Sequence, residues 1–567
     1  MIEIESSAIP EYPAPYSKVP DAGAKIRVGV ILDGTSLSVT ERKLLEELRS
    51  TTFVDLAALA VRRATEVEWT PGVTVCARAL IRSYDAMDER VYGERGVCDI
   101  NASVSEVALE DGVLFDCTGC ADSELLVQLQ RRRLDVLLAL RPSAQMLHLS
   151  GAAQFGLWWL GPSARPFADS DLISGFRATA AADAPVCSVL WASTGDRPDP
   201  LPIGFGSTRL VSRISVRRNL RPLQPLQRNL WLMALRTLFL QGWAELQRRA
   251  SEGANAPDIA LQKKRDRRRI GIPTVAWGLA EMGFREVRHR LRYRKHTELW
   301  TVGIRRLRDA AGLLCDTDRY QWIRAPARHW YADPFVFCND GDAYLFMEDF
   351  EEDRGRGRIV CTRIDANGSV GAPDPVLERP YHLSYPHVFR HGGEIFMIPE
   401  TGSNNSVELY RAVSFPSKWE LVRVLYKGPA FDTTVLFDNG SFWFFTSLSV
   451  DAGRHSSQLL LFCSDRVDGD WRMHPASPIS NDSRFARGAG TIMRLGPTLV
   501  RPAQDCSWTY GGAVNFRRIE SLTQSSYRES EYGMIGPEKI AGGLGVHTYN
   551  RSDSIEVIDA RVLIPAN

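Results

Sequence analysis

The sequence predicts two folds in one chain, an open α/β sheet followed by an all-β, five-bladed β-propeller. Three observations predict it. Apolar strands alternate with helical segments across residues 25–245, the order that an open, mostly parallel sheet produces. From Trp330 onward, a unit of apolar strand, Gly-containing turn and aromatic-rich strand recurs at intervals of about fifty residues, as propeller blades do. The chain is 567 residues long, more than one hydrophobic core usually serves.

The N-terminal elements follow in order. A proline-rich start (Pro10, Pro13, Pro15, Pro20) is read as a disordered segment, 1–24. Lys25 to Leu32 reads as a buried strand, Thr40 to Arg49 as a helix and Phe53 to Val61 as an apolar run. Asp111 to Asp116 is strand-like, Glu124 to Arg133 has helical spacing, and Leu134 to Leu140 is again an apolar strand. An apolar helix closes the region at 229–243. Its longest stretch, Leu230 to Trp243, contains Arg236 and is too short to span a bilayer.

The propeller units are more explicit. Tyr331-Ala332-Asp333-Pro334-Phe335 runs through a turn at Asn339-Asp340-Gly341 into Phe346-Met347-Glu348-Asp349. An antiparallel hairpin brings its outer ends together, so Asp333 and Glu348 are expected to be neighbours. The pattern recurs with Tyr385-Pro386-His387, Gly392-Gly393 and Pro399-Glu400-Thr401, then with Asp432-Thr433-Thr434, Asn439-Gly440 and Phe442 to Ser447. Weaker copies begin near Gly488 and Val546, which makes five blades. Inner strands of a propeller start at one end of a central channel, so the polar residues at those starts converge on a funnel. Carboxylates crowded there repel one another, their pKa values separate, and the set supplies an acid and a base or nucleophile. Glycosidic-bond chemistry needs such a pair. Taken singly, each acid also has a turn-capping use.

Composition narrows the partners. The net charge of +1 gives no global field that selects nucleic acid. Of ten cysteines, only Cys117 and Cys120 form a close pair, which is weak for zinc or redox chemistry. Reduced thiols and no visible leader fit a cytoplasmic protein. Charge is nevertheless uneven. Lys263 to Lys295 is crowded with lysine and arginine, interleaved with Ile270, Trp277, Met282 and Phe284. Such a basic amphipathic segment fits either a solvated linker with a packed helix or peripheral association with an anionic membrane.

Residues from about Trp300 to the end resemble the N-terminal-side propeller domain of plant glucosamine inositolphosphorylceramide transferases. The motifs that carry this are Tyr331 to Phe335, Met347-Glu348-Asp349, Ser384 to His387, Pro399-Glu400-Thr401, Asp432-Thr433-Thr434, Arg501 to Cys506, Tyr510-Gly511 and Gly545 to Asn550. More distantly the region resembles the five-bladed propellers of arabinanases and fructosidases. The resemblance implies an Asp on the first inner strand, matched by Asp333, and a Glu acid on a later blade, for which Glu400 and Glu348 compete. Residues 300–567 lack the Ser-Glu-Gly and Arg-Asp-Pro triplets of the degradative families. The resemblance therefore implies glycan assembly more than breakdown. Residues 25–245 resemble a formyltransferase N-terminal fold, on the strand–helix order, Gln154 to Trp159 and Ser215 to Asn219. The His expected of an active formyltransferase is missing at Trp159-Leu160-Gly161-Pro162, and so is the later glycine–aspartate element. That half is read as degenerate, a structural or regulatory module.

The organisation expected is thus a disordered segment (1–24), a degenerate formyltransferase-like α/β domain (25–245), a basic linker or amphipathic helix (246–299) and the propeller (300–567). The function expected is glycosyltransferase-type chemistry on cell-surface glycan or glycolipid. A furanosidase-like glycoside hydrolase and a non-catalytic glycan-binding scaffold are the alternatives. Asp333, Glu348, Glu400 and Asp432 are the catalytic candidates. Tyr385, His387, Arg487, Arg501, Gln504, Asp505 and His547 are the substrate-binding candidates, Arg501, Gln504 and Asp505 because a guanidinium fork, an amide and a carboxylate can pair with sugar hydroxyls or a phosphate. No cofactor is expected. No metal ligand is assigned either, since ligand spacing across blades is not readable from sequence.

Overall fold

In the computed structural model the described residues are 17–19, 23–62, 73–92, 102–104, 113–117, 121–162, 170–182, 185–254, 269–307, 320–365, 367–449 and 457–565. Most of 1–24, Cys120 and Lys263 to Arg268 lie outside them. The chain divides into two compact units at Glu286/Val287.

The first unit is a mixed seven-stranded sheet with helices. Its strands run in the order Leu114–Asp116, Val54–Arg62, Ile26–Asp33, Val136–Ala139, Leu157–Gly161, Val186–Thr194, Arg197–Thr208. The first five are parallel and the last two antiparallel. The central strands are apolar throughout because helices or loops cover both faces, and Leu137, Leu138, Trp158 and Trp159 are fully enclosed. Helix Val39–Ser50 starts where Ser38 and Glu41 form a reciprocal capping box. Arg141 then grips that start, reaching Glu41 and the carbonyls of Asp33 and Ser36. The Ser215-to-Asn219 run builds a turn. Ser215 caps helix Val216–Leu220, and the Asn219 side chain accepts from the backbone of Val211 and Ser212.

The second unit is a five-bladed propeller. Blade 1 is His329–Asn339, Asp342–Glu351, Arg356–Ile364 and Asp374–Leu377. Blade 2 is Ser384–His391, Glu394–Thr401, Ser406–Ser414 and Lys418–Lys427. Blade 3 is Ala430–Asp438, Ser441–Ser449, Ser457–Ser464 and Arg472–Met473. Blade 4 opens with Arg487–Gly488 and Met493–Leu495, both paired to Thr498–Asp505, and continues through Ala513–Leu522 and Tyr527–Ile535. Blade 5 joins the two ends of the unit. Tyr549–Arg551 leads to Ile555–Pro565, which pairs with His296–Arg306 from the other end over eleven residue pairs.

Local chemistry explains the strands. The hairpin turns at Asp340-Gly341, Gly392-Gly393 and Asn439-Gly440 all hold positive φ at both central residues, the tight turn that suits strand twist. Between blades the aromatic faces interlock: Phe335, Phe346, Tyr385 and Trp419 share one cluster, while Trp443, Phe445 and Tyr527 share another. The closing pair of strands also buries a polar knot. Glu556 accepts from Tyr320 and Tyr549 and pairs with Arg305 at 2.6 Å. A buried carboxylate must be paired in this way, because stripping it of water is otherwise too costly.

Candidate functional site

Three inner strands carry the same irregularity at the same place. The pairing of the first two strands shifts register between Ala332 and Phe335 in blade 1, Ser384 and His387 in blade 2, and Phe431 and Thr434 in blade 3. In each bulge one non-glycine residue adopts a left-handed backbone: Asp333 (φ 49°), Tyr385 (φ 46°) and Asp432 (φ 48°). Such strain persists only where surrounding contacts impose it, and it clusters at functional sites. On the second strands, the residues opposite the start of each bulge are Glu348, Glu400 and Ser447. Tyr385 and His387 are both substrate-binding candidates on the blade 2 inner strand. The bulges show that Tyr385 is the equivalent of Asp333 and Asp432.

Blades 1 and 5 meet at Asp333. Its side chain accepts from Thr548 Oγ1 at 2.6 Å, and its backbone N–H donates to Asp559 at 3.0 Å. Asp559 also accepts the backbone N–H groups of His547 and Thr548 and lies 2.5 Å from His547 Nδ1. The other ring nitrogen of His547 is 3.7 Å from Asp333. Trp300 stacks on the imidazole at a centroid distance of 3.9 Å, and Tyr510 meets it edge-on. Burial opposes the charged imidazole, but Asp559 and Asp333 outweigh it and hold His547 above its usual range. Burial raises Asp333 to about 6, with Asp559 and Asp432 adding to the rise and His547 opposing it. Glu348 is enclosed beside Asp333, Glu400 and Asp559, so burial and those charges push it far above the carboxylate range. Its Oε1 has no hydrogen-bond partner and sits 3.5 Å from His382.

Blades 2, 3 and 4 meet at Arg487. Its Nε is 2.5 Å from Asp432, and Nη2 is 3.8 Å from Glu400. The guanidinium lies over the rings of Tyr510 and Phe431. Gln504 donates to Asp432 at 3.2 Å and to the Gly488 carbonyl at 2.8 Å. Burial, with Glu400 alongside, lifts Asp432 to about 7 in spite of Arg487. Arg487 stays firmly charged because Asp432 outweighs the cost of its burial. The Tyr385 hydroxyl is held by the Gly490 N–H at 2.6 Å and by Thr434.

The structure thus brings Asp333, Glu348, Glu400, Asp432, Arg487, Gln504 and His547 together at one end of the propeller axis. It directs others elsewhere. The His387 ring bonds the Val435 carbonyl and Thr491 and stacks on Phe389, and burial lowers it to about 4, so it remains neutral. Arg501 makes a two-pronged ion pair with Glu529 inside blade 4. Asp505 accepts from Ser507 and Asn515, closing the turn that follows its strand. Arg484 pairs with Asp482. Sequence reasoning missed Asp559, Thr548, Trp300 and the role of Tyr510. The usable signal for Asp559 was a carboxylate inside the apolar run Ile555 to Ala560, which must find a partner once buried.

Among the described residues, Asp333, His547 and Asp559 form a group whose ligand atoms lie within 4.8 Å of one another, close enough to hold a metal ion. Both Asp559 oxygens, however, already accept protein hydrogen bonds.

Comparison with known proteins adds the following. Residues 321–557 match the family described as "Glucosamine inositolphosphorylceramide transferase 1, N-terminal". The chain is 34% identical over 207 residues to glucosamine inositolphosphorylceramide transferase 1 of Arabidopsis thaliana, covering 36% of this chain and 27% of that one. The protein of the same name from Oryza sativa subsp. japonica is 35% identical over 208 residues, with 35% and 28% covered. The match therefore spans little more than a quarter of those relatives. Among solved structures, a β-1,2-mannobiose phosphorylase from Listeria innocua gives a TM-score of 0.33 at 10% identity, covering 45% of this chain and 96% of that one. The GH43_1 enzyme from Xanthomonas citri in complex with xylotriose gives 0.32 at 10% identity, with 42% and 88% covered. Residues 321–557, less than half of this chain, are thus similar to that N-terminal domain.

Proposed function

We propose that the propeller is a carbohydrate-active module that processes a sugar linkage during assembly of a glycan or glycolipid. The observation that carries this is the pairing of Glu348 with Asp333. The two carboxyls are neighbours in an enclosed polar cluster, and burial with neighbouring charge pushes Glu348 far above the carboxylate range while Asp333 is raised to about 6. Glu348, raised by burial and by the charges beside it, is placed to give a proton to a departing sugar oxygen. Asp333, oriented by Thr548, is ionised above about pH 6 and can take the proton of an acceptor hydroxyl or attack the anomeric carbon. Glu400 and Asp432 share Arg487, which suits them to holding sugar hydroxyls. The similarity of residues 321–557 to proteins named glucosamine inositolphosphorylceramide transferase 1 supports assembly over breakdown.

The test incubates purified full-length protein, Asp333→Asn and Glu348→Gln with nucleotide sugars and furanoside-containing oligosaccharides, with products followed by mass spectrometry. Carboxylate-dependent transfer supports the proposal. Carboxylate-dependent release of free sugar points to a hydrolase instead, and an inert wild type that still binds glycan points to a binding module. One observation favours that last reading. Asp559 and Asp333 already spend oxygens on protein donors, as a purely architectural cluster would.

For the first unit, we read a formyltransferase-like sheet that has lost its chemistry. The parallel strand order and the buried Trp159-Leu160-Gly161 strand, where an imidazole would be needed, support this. Release of formate from a formyl-tetrahydrofolate by the purified protein would overturn it. The cytoplasmic setting expected from the sequence is kept as part of this reading. A disulfide found in protein isolated from its native cell would count against that.

A further inference from the structure

Helix Ile272–Tyr293 has two apolar faces, and only one of them is buried. Val275, Gly278 and Met282 are buried, in a cluster with Val73, Ile173 and Phe176. A Cβ at position 278 would lie only 3.1 Å from both Ala180 and Phe176, so glycine sets the closeness of that contact. The opposite face is a line of large side chains. Trp277, Phe284 and Leu291 follow at spacings of seven residues, which at about 100° per residue keeps them in register. They are 74%, 59% and 60% exposed, and Val287 beside them is 56% exposed. A helix that served only its own core would leave polar residues there.

The charge on this helix names the occupant. From Arg285 to Lys295 the chain holds six cations and one carboxylate, Glu286. The helical repeat puts Arg288 and Arg292 on one flank of the exposed apolar line and Arg290 and Arg294 on the other. A second copy of the helix docked on that line would set arginine against arginine along both seams, which like-charge repulsion disfavours. A surface with apolar depth and an anionic rim satisfies both features. No helix among the described residues is long and apolar enough to cross a membrane, so such a helix would lie along the interface.

We propose that helix Ile272–Tyr293 docks the protein on an anionic lipid surface, with Trp277, Phe284 and Leu291 entering the acyl boundary and the flanking arginines meeting headgroup phosphates. Tryptophan suits the interfacial depth, and arginine stems reach outward from it. The neighbouring basic run Lys263 to Arg268 lies outside the described residues, and the proposal does not depend on it.

The test is co-sedimentation of the full-length protein with vesicles of phosphatidylcholine alone and of phosphatidylcholine containing about one-third phosphatidylserine. Binding to the anionic vesicles is expected to exceed binding to the neutral ones by about tenfold or more, and to fall as salt is raised. A Trp277→Ser, Phe284→Ser, Leu291→Ser variant should lose it while keeping the wild-type melting temperature. An Arg288→Gln, Arg292→Gln, Arg294→Gln variant should lose the preference for anionic lipid. Equal binding to both vesicle types, or binding to neither, overturns the proposal. So does a wild-type dimer in sedimentation velocity that the serine variant converts to monomer, since that would make a second copy the occupant. The readout is independent of any activity in the propeller.

Discussion

Asp333 and Asp432, ninety-nine residues apart in the chain, hold the same left-handed backbone (φ 49° and 48°) at the same bulge of two different blades. Each turns its carboxyl to one cation, His547 for Asp333 and Arg487 for Asp432. Burial raises both acids above the usual carboxylate range, and their cationic partners only partly offset it.

Stability should therefore fall as pH rises. The folded pKa values of Asp333 and Asp432 are raised to about 6 and about 7 from 3.8, so the folded state binds more protons than the unfolded one between those limits. The contribution is fully present below the unfolded pKa and is lost as pH rises through the folded values. His547, also raised, acts in the same sense at higher pH. His387 is lowered to about 4 from 6.5 and opposes the trend on the acid side. Melting temperatures between pH 4 and pH 8 should show a steeper alkaline decline for wild type than for Asp333→Asn or Asp432→Asn. Parallel profiles would sink this reading.

Arg487→Met leaves Asp432 and Glu400 enclosed without their shared cation. Breaking a buried pair from one side costs about 3–5 kcal/mol. Urea denaturation at pH 8 should report a loss of this order, and lowering the pH should recover much of it as Asp432 protonates. A pH-independent loss would mean the damage is to packing alone.

Gly490→Ala should be severely destabilising. Glycine there has φ 135°, and an added Cβ would come 2.1 Å from the Tyr549 carbonyl oxygen. The backbone would have to move, dislodging the N–H that holds the Tyr385 hydroxyl. A loss above about 4 kcal/mol is expected in chemical denaturation. Tyr385→Phe, which removes only the hydroxyl, should cost about 1–3 kcal/mol.

Arg501→Lys separates the structural role seen for this residue from the substrate-binding role expected of it. Lysine cannot reproduce the two-pronged contact with Glu529. Thermal stability should drop while glycan binding, measured by calorimetry, stays within about twofold of wild type, since one buried charged hydrogen bond is at stake. A selective loss of binding would return Arg501 to the substrate.

Blade count and hairpin register were legible because each blade repeats a short-range code. Alternating aromatics mark two adjacent strands, and Asp340-Gly341, Gly392-Gly393 and Asn439-Gly440 fix the turn between them through their own φ preferences. The parallel strands of the first unit were legible for a similar reason, as continuous apolar runs between capped helices. Asp333, Glu348, Glu400 and Asp432 could be nominated together because they stand at corresponding ends of repeated strands.

Which of them face one another, and with what partners, is a matter of ring closure, which no local pattern encodes. Pairing of Ile555–Pro565 with His296–Arg306 carries Asp559, His547 and Trp300 to Asp333 from positions more than two hundred residues away or on the far side of the ring seam. The two-residue difference between Tyr385 and His387 was likewise decided by a β-bulge. A bulge moves the next side chain to the other face, and it is stabilised by contacts from the neighbouring blade, here Gly490 and Thr434. The sequence by itself determined the repeating strands, their turns and the kinds of group each blade offers. Tertiary structure alone decided which groups share a charge, because burial and proximity across blades, rather than residue type, shift the protonation of Asp333, Glu348 and Asp432.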